Sequence, residues 1–346
     1  MNSSNTYFII TVDTEAYKVN NEVPRFEDHI YGAINGDEWG VRKIVDTCDH
    51  YNGKCTFFID FCMHHQYGES PIRSLCEWID ARGHDVQVHA HPSWIPETGR
   101  PLLHLYPYEI QCQIIQELKL LYEKFLNRPP LAFRAGAYGA NFDTVRALSK
   151  NGFQIDSSYF FNHKNCELSK HLDNRYYNRA FQIEKLIEMP ITVYSLFKKP
   201  DKKSKIDINA CSYTEMKYVF QKLIENPHVS YVILFLHSFS FITQGNKVGM
   251  IKPDLLSFKK FEKTLKFLKS NKNAEIICMN DFFNLVKGSY NSPVNGDDIV
   301  SSRPWMLIPR YLGRLIQRLS TNRLCNRLAW RTPGVCQTPG HMTDNN

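Results

Sequence analysis

Asp85-Val86-Gln87-Val88-His89-Ala90-His91-Pro92 is the stretch on which the fold turns. Alternation places Val86, Val88 and Ala90 on one face of a strand, and Asp85, Gln87, His89 and His91 on the other. Alternate residues of a strand point the same way, so both imidazoles project together from its last residues. Pro92 has no N–H for a ladder and stops the strand there. Two readings are open for such a pair. The rings share one divalent metal, at about 2.0–2.1 Å if it is zinc, or they are two partly buried histidines with ordinary hydrogen bonds. The polar residues that end the other strands bear on the choice.

Outward from this stretch, strands alternate with helices. Tyr7–Asp13 is a β-branched and aromatic run, a buried strand that ends in Asp13-Thr14-Glu15. Residues 16–40 form a long polar loop, and 41–51 a helix. Lys54–Asp60 is a second strand, Ile72–Arg82 a helix closed by Gly83. After the histidine strand, Glu109–Leu126 carries apolar residues at helical spacing. Leu131–Arg134 is a short strand. Asn141 caps a helix over 142–150, and Phe153–Asp156 follows as a strand. Residues 157–185 are irregular. Leu186–Tyr194 is a strand interrupted by Pro190, and Lys198–Lys205 a solvated lysine-rich loop. Tyr213–Glu225 is helical, Tyr231–His237 a strand and Asp254–Ser270 a helix. Glu275–Met279 is a last strand, and Asp281–Lys287 a last helix. Such alternation argues for a parallel sheet with crossover helices. About seven or eight strands, with no Gly-x-Gly-x-x-Gly turn after any of them, favour a closed or nearly closed barrel over an open sheet. The barrel is expected over residues 1–290, with a separate tail over 291–346.

Five strands end in ionisable residues: Asp13 and Glu15, His89 and His91, Arg134, Asp156, and His237. In a barrel of parallel strands these groups converge on one mouth. A carboxylate and two histidines make a metal site with positions left for water and substrate. A second carboxylate can take the water's proton, and a histidine can protonate a leaving group.

The set resembles the polysaccharide deacetylase family (carbohydrate esterase family 4), whose members remove acetyl groups from sugars on a distorted (β/α) barrel. The resemblance spans roughly residues 7–285. It rests on Thr11-Val12-Asp13-Thr14-Glu15, His89-Ala90-His91-Pro92, Phe133-Arg134-Ala135-Gly136-Ala137-Tyr138, Asp156-Ser157-Ser158 and Leu236-His237-Ser238, in the family's order. It implies a divalent metal, usually zinc, held by Glu15, His89 and His91. It implies Asp13 as catalytic base, Arg134 as the cation that orients it, and His237 as general acid tuned by Asp156. Tyr138, through a backbone N–H to the oxyanion, and Trp94 would meet an N-acetylated sugar or glycan substrate. The likeness is to a cytoplasmic branch of surface-polysaccharide biosynthesis. Two positions depart from the family: Thr14 stands where a second aspartate is usual, and the histidines are two apart with Ser93 following. Asp13 is thereby open as a metal ligand itself. A non-catalytic glycan-binding protein on the same barrel, and a C–N hydrolase for a non-sugar amide, are the rival readings.

Composition, with 43% hydrophobic and 22% charged residues, is ordinary for a soluble globular protein, and ten scattered cysteines without a C-x-x-C pair read as a reducing compartment and not a disulfide framework. No signal peptide or membrane span is read, so a cytoplasmic location is expected. The net charge of +7 sits in the tail: residues 301–346 hold seven arginines, no lysine and one acid, a balance of +6 that leaves +1 elsewhere. The nearly neutral body argues against nucleic-acid binding. In the tail, Ile308, Tyr311, Leu312, Leu315, Ile316 and Leu319 share one helical face and Arg310, Arg314 and Arg318 another, with Trp305 and Trp330 flanking. A basic amphipathic helix of this kind suits peripheral contact of residues 305–331 with the inner face of a membrane, or packing on the barrel or a partner chain. Oligomeric state is not read from the sequence.

Overall fold

The computed structural model describes residues 5–96, 99–172, 178–196, 203–286, 299–313, 315, 316 and 319. Eleven strands matter to the site: β1 (Thr6–Thr14), β2 (Cys55–Asp60), β3 (Asp85–Ala90), β4 (Ala132–Ala135), β5 (Ile155–Asp156), β6 (Phe181–Ile183), β7 (Leu186–Glu188), β8 (Val193–Ser195), β9 (Lys203–Lys205), β10 (Tyr231–His237) and β11 (Ala274–Ile276). Nine of them form one sheet in the order β10-β1-β2-β3-β4-β5-β7-β6, with β11 also on β1. All its pairings are parallel except β6 with β7. The apolar runs explain the layout. β1, β2 and β10 are buried along nearly their whole length, as central strands covered on both faces must be.

The crossovers are helices α1 (Val41–His50), α2 (Glu69–Ala81), α3 (Tyr108–Leu126), α4 (Phe142–Lys150), α5 (Tyr213–Ile224), α6 (Leu255–Ser270) and α7 (Met279–Val286). In α3 the buried side recurs at Gln111, Ile114, Ile115, Leu118, Leu121, Tyr122 and Phe125, the spacing of one helical stripe. Asn127, in the left-handed region at φ 51°, ends that helix.

The sheet closes on itself without a regular strand pair. Phe235 of β10 donates its N–H to Ile206 O (2.9 Å) and accepts from Ile208 N (3.2 Å). Ile206 N reaches Thr192 O at 3.4 Å, and Ile233 N donates to Thr192 Oγ1 at 2.7 Å. Residues 206–208 thus fill the seam between β10 and the segment before β8. The molecule is a distorted (β/α) barrel.

Three details differ from the sequence reading. β11 stops at Ile276 and α7 begins at Met279, where a strand to Met279 is expected. The edge of β1 explains this: Ile277 N bonds Phe8 O, and from Ile10 onward that edge pairs with β2. Met279 N turns instead to Thr56 Oγ1 at 2.8 Å. Lys203–Lys205 is no solvated loop but a strand antiparallel to β8; Lys198 to Lys202 lie outside the described residues. The segment 157–185 is not wholly irregular, because β6 folds back on β7 through a turn with Glu184 at φ 52°. The eight cysteines of the described residues are free and buried. Among the described residues no helix is long and apolar enough to cross a membrane.

Candidate active site

Register brings the strand ends together. Asp13 stands opposite His237 across β1 and β10, Asp60 opposite His89 across β2 and β3, and His89 opposite Arg134 across β3 and β4. These are the C-terminal ends of parallel strands, so the groups share one mouth.

Arg134 is fully buried beneath it. One guanidinium nitrogen donates to Asp13 Oδ1 at 2.5 Å and to Thr11 Oγ1 at 3.1 Å. The others donate to Ser157 O (3.2 Å) and Ser157 Oγ (3.1 Å). Its Cζ lies 4.1 Å from the Phe58 ring centre. A buried charge needs this full a set of partners, and the planar fork supplies the geometry. The result is a fixed Asp13 carboxylate with Oδ2 left to the mouth, where it lies 3.9 Å from His89 Nε2.

Glu15 is the hub. Its Oε2 lies 2.5 Å from His91 Nε2 and 3.0 Å from His89 Nε2, and its Oε1 is 3.6 Å from His237 Nε2. His89 Nδ1 is 2.8 Å from the Arg134 carbonyl oxygen. A carbonyl only accepts, so Nδ1 carries the hydrogen, and Nε2 is the nitrogen turned toward Glu15 and free to serve as a ligand. Burial pushes the Glu15 carboxyl up, but the imidazoles of His91, His89 and His237 outweigh it and hold it well below the usual range. Burial likewise pushes His91 down, but the charge and hydrogen bond of Glu15 carry it up to about 9. The one carboxylate oxygen and two imidazole nitrogens all lie within 4.8 Å of one another. Two imidazole donors and one carboxylate, with a backbone carbonyl fixing the first ring, are the donor set of a divalent transition-metal site with open positions. The residues therefore fit the metal that the sequence motifs imply.

Gly136 makes room for this arrangement. A Cβ there would stand 2.6 Å from both the Ala90 carbonyl oxygen and His91 Nδ1. The loop it begins carries Ala137 and Tyr138 at φ 49° and 61°, a tight left-handed turn over the mouth.

His237 forms the opposite wall, stacked on Phe239 with ring centres 4.7 Å apart. Burial lowers its pKa, Lys205 adds to that, and Glu15, Asp13 and Asp207 oppose it without prevailing. The expected tuning by Asp156 is not what the geometry provides. Asp156 stands opposite Phe133 in the register, one position deeper than Arg134. Its carboxyl accepts from Ser158 Oγ at 2.5 Å and meets the buried Glu188. Burial pushes both of these carboxyls up, and Asp156 pushes Glu188 up further. The carboxylates that act on His237 are Glu15 first, then Asp13, and last Asp207 on the seam segment.

Tyr138 is buried, its hydroxyl accepting from Lys205 Nζ at 3.1 Å. Trp94 is also mostly buried, with Lys18 Nζ 5.7 Å from its ring centre. Neither side chain lies open at the mouth. Several site residues escaped the sequence reading. Asp60 Oδ1 accepts from His91 N (3.0 Å) and Cys62 N (3.1 Å), so it orients the second histidine. It ends an apolar strand just as Asp13 and His237 do, and the same rule singles it out. Lys205 Nζ sits 3.2 Å from Asp207 Oδ2 and 3.6 Å from the Phe235 ring centre. Burial pushes its ammonium down, but Tyr138 and Asp207 raise it. Tyr17 and His29, from the loop after Glu15, lie 5.0 Å and 6.0 Å from Phe239, ring centre to ring centre. No local pattern marks these residues. A second histidine–carboxylate group, His64, His65 and Glu117, lies apart from the mouth between the turn after β2 and α3.

No family model and no curated protein matches the chain. Solved structures do. A candidate polysaccharide deacetylase from Mycobacterium smegmatis matches 86% of this chain and 96% of its own, with a TM-score of 0.53 at 13% identity. The PuuE allantoinase matches 84% of this chain and 93% of its own, with a TM-score of 0.50 at 12% identity. The chain therefore has the polysaccharide-deacetylase fold, the distorted (β/α) barrel expected from the strand-end motifs.

Proposed function

We propose that the chain is a metal-dependent hydrolase that removes the acetyl group from an N-acetylated sugar or glycan intermediate of surface-polysaccharide assembly. The observation that carries the reading is the meeting of Glu15, His89 and His91 beside the Arg134-held Asp13 at one barrel mouth. A divalent metal held by Glu15, His89 and His91 would supply Lewis acidity, polarising the acetyl carbonyl and acidifying water. Asp13, fixed at Oδ1, offers Oδ2 to take the proton of the attacking water. The water oxygen bonds the acetyl carbon, and the C–N bond then breaks to give acetate and the sugar amine. The amine needs a proton to leave, and His237 is placed to deliver it. Negative charge building on the substrate adds to that of Glu15, Asp13 and Asp207, and favours the imidazolium there. Tyr17 and Phe239, both partly exposed, give the mouth an aromatic side suited to the apolar face of a sugar ring.

Acetate release from N-acetylhexosamine oligosaccharides tests the assignment. Asp13→Asn is expected to lose about 10²–10⁴-fold in kcat, the range for removing a positioned base. Purified protein should carry close to one transition metal per chain, lost in His89→Ala. A metal-free parent protein points to the non-catalytic reading. The likeness to an allantoinase supports a second reading, hydrolysis of a non-sugar amide. A metal-loaded protein that releases no acetate from any N-acetyl sugar favours that one.

A further inference from the structure

The chain leaves the barrel along β8. Ser195 N donates to Val300 O and Ser195 O accepts from Ser302 N, both at 2.9 Å. A turn over Pro304–Met306 then leads into a helical segment, described at 307–313, 315, 316 and 319. Met306 and Arg310, four residues apart, face the barrel and are buried. Arg310 Nε and one terminal nitrogen donate to Glu215 Oε2 (2.8 Å) and Oε1 (2.9 Å), a bidentate pair with a fully buried α5 carboxylate. The same nitrogen also donates to the Tyr194 hydroxyl.

An ordinary surface helix buries its apolar stripe and wets its charges. This one does the reverse. Its arginine plugs into the barrel, and Ile308, Tyr311, Leu312, Leu315, Ile316 and Leu319 are each at least half exposed. Trp305 is equally exposed just before the helix, and a Cβ added at Gly313 would meet nothing within 4 Å. These seven large apolar residues within 15 positions form a face with no partner among the described residues, of the kind that marks an interaction site. Packing of this stripe on the barrel is thereby ruled out for the described residues. Arg314, Arg318 and Trp330 lie outside them.

We infer that this face seats the protein on an anionic lipid surface, the helix lying in the plane of the headgroups. Charge selects lipid over a second copy of the chain. Apart from Arg310, which Glu215 neutralises, residues 301–346 carry six arginines and one acid, so two such segments repel while anionic headgroups attract. Trp305 and Tyr311, each with an apolar body and a polar atom, suit the headgroup boundary. The buried Arg310–Glu215 pair keeps the apolar face turned away from the barrel.

Full-length protein is mixed with vesicles of phosphatidylcholine alone, or with about a quarter phosphatidylglycerol, and sedimented. Binding is expected to the anionic vesicles and to weaken at high salt. Leu312→Glu/Ile316→Glu is expected to bind at least about 10-fold more weakly, with thermal midpoint and activity on water-soluble substrates unchanged. Equal partitioning of parent and variant overturns the proposal. So does a parent that ignores both vesicles, or one that light scattering finds dimeric and the variant monomeric, which makes a second copy the occupant.

Discussion

Arg134 shows how much one buried side chain carries. It holds Asp13, Thr11 and Ser157 together with no solvent contact. Arg134→Met leaves the Asp13 carboxylate buried without its cation, and is expected to cost about 3–5 kcal/mol of folding stability in urea titrations. Arg134→Lys keeps the charge but loses the fork, and is expected to cost roughly half as much. A loss under about 1 kcal/mol for the methionine variant would show that Asp13 is not held by this pair. The residue types of the site were legible because each ends a β-branched or aromatic run, where an ionisable side chain is conspicuous. Glu15 beside His89 and His91 was legible only through the family resemblance, and its approach to His237 was not legible at all. Its two oxygens reach three imidazoles only because β1, β3 and β10 end at one level.

At the scale of elements, boundary chemistry was readable where it is local. Asn141 accepts from Thr144 N at 2.9 Å, and Thr144 Oγ1 accepts from Asn141 N at 3.1 Å, a reciprocal cap. Asn141→Ala is expected to cost about 1–2 kcal/mol by the same titration. The helix α4 follows β4 directly, so the turn bearing Gly136 and Tyr138 is tied to that cap at one end and to Arg134 at the other. Elements defined by their partners were not readable. Lys203–Lys205 is a strand only because β8 lies beside it. The C-terminal helical stripe was plain in the sequence. Which side faces inward was decided by Glu215, a buried acid on α5 that Arg310 meets with two hydrogen bonds.

For the whole molecule, the barrel wall buries a carboxyl pair, Asp156 and Glu188, on neighbouring strands. Folding raises both above their ordinary values, burial being the main cause. A carboxyl raised by folding favours the folded state below its unfolded value of about 4. That contribution is lost as pH climbs through the raised value. The urea midpoint of the parent is therefore expected to fall from about pH 5 to about pH 8. In Glu188→Gln, where the amide holds the pair without a shared proton, this part of the slope should flatten by about 1–3 kcal/mol. Parallel pH curves for parent and variant would show that the pair does not titrate with folding.

The sequence by itself determined the order of strands and helices, the barrel class, and the residue types at the mouth. Apolar periodicity, caps and strand-ending polar residues are properties of neighbours along the chain. The tertiary structure decided which of those residues meet. Register set Asp156 one position too deep to serve His237. Closure of the barrel through 206–208 carried Asp207 and Lys205 to the site instead. Such contacts join residues far apart in the chain, and their geometry follows from how the sheet shuts, which no local pattern encodes.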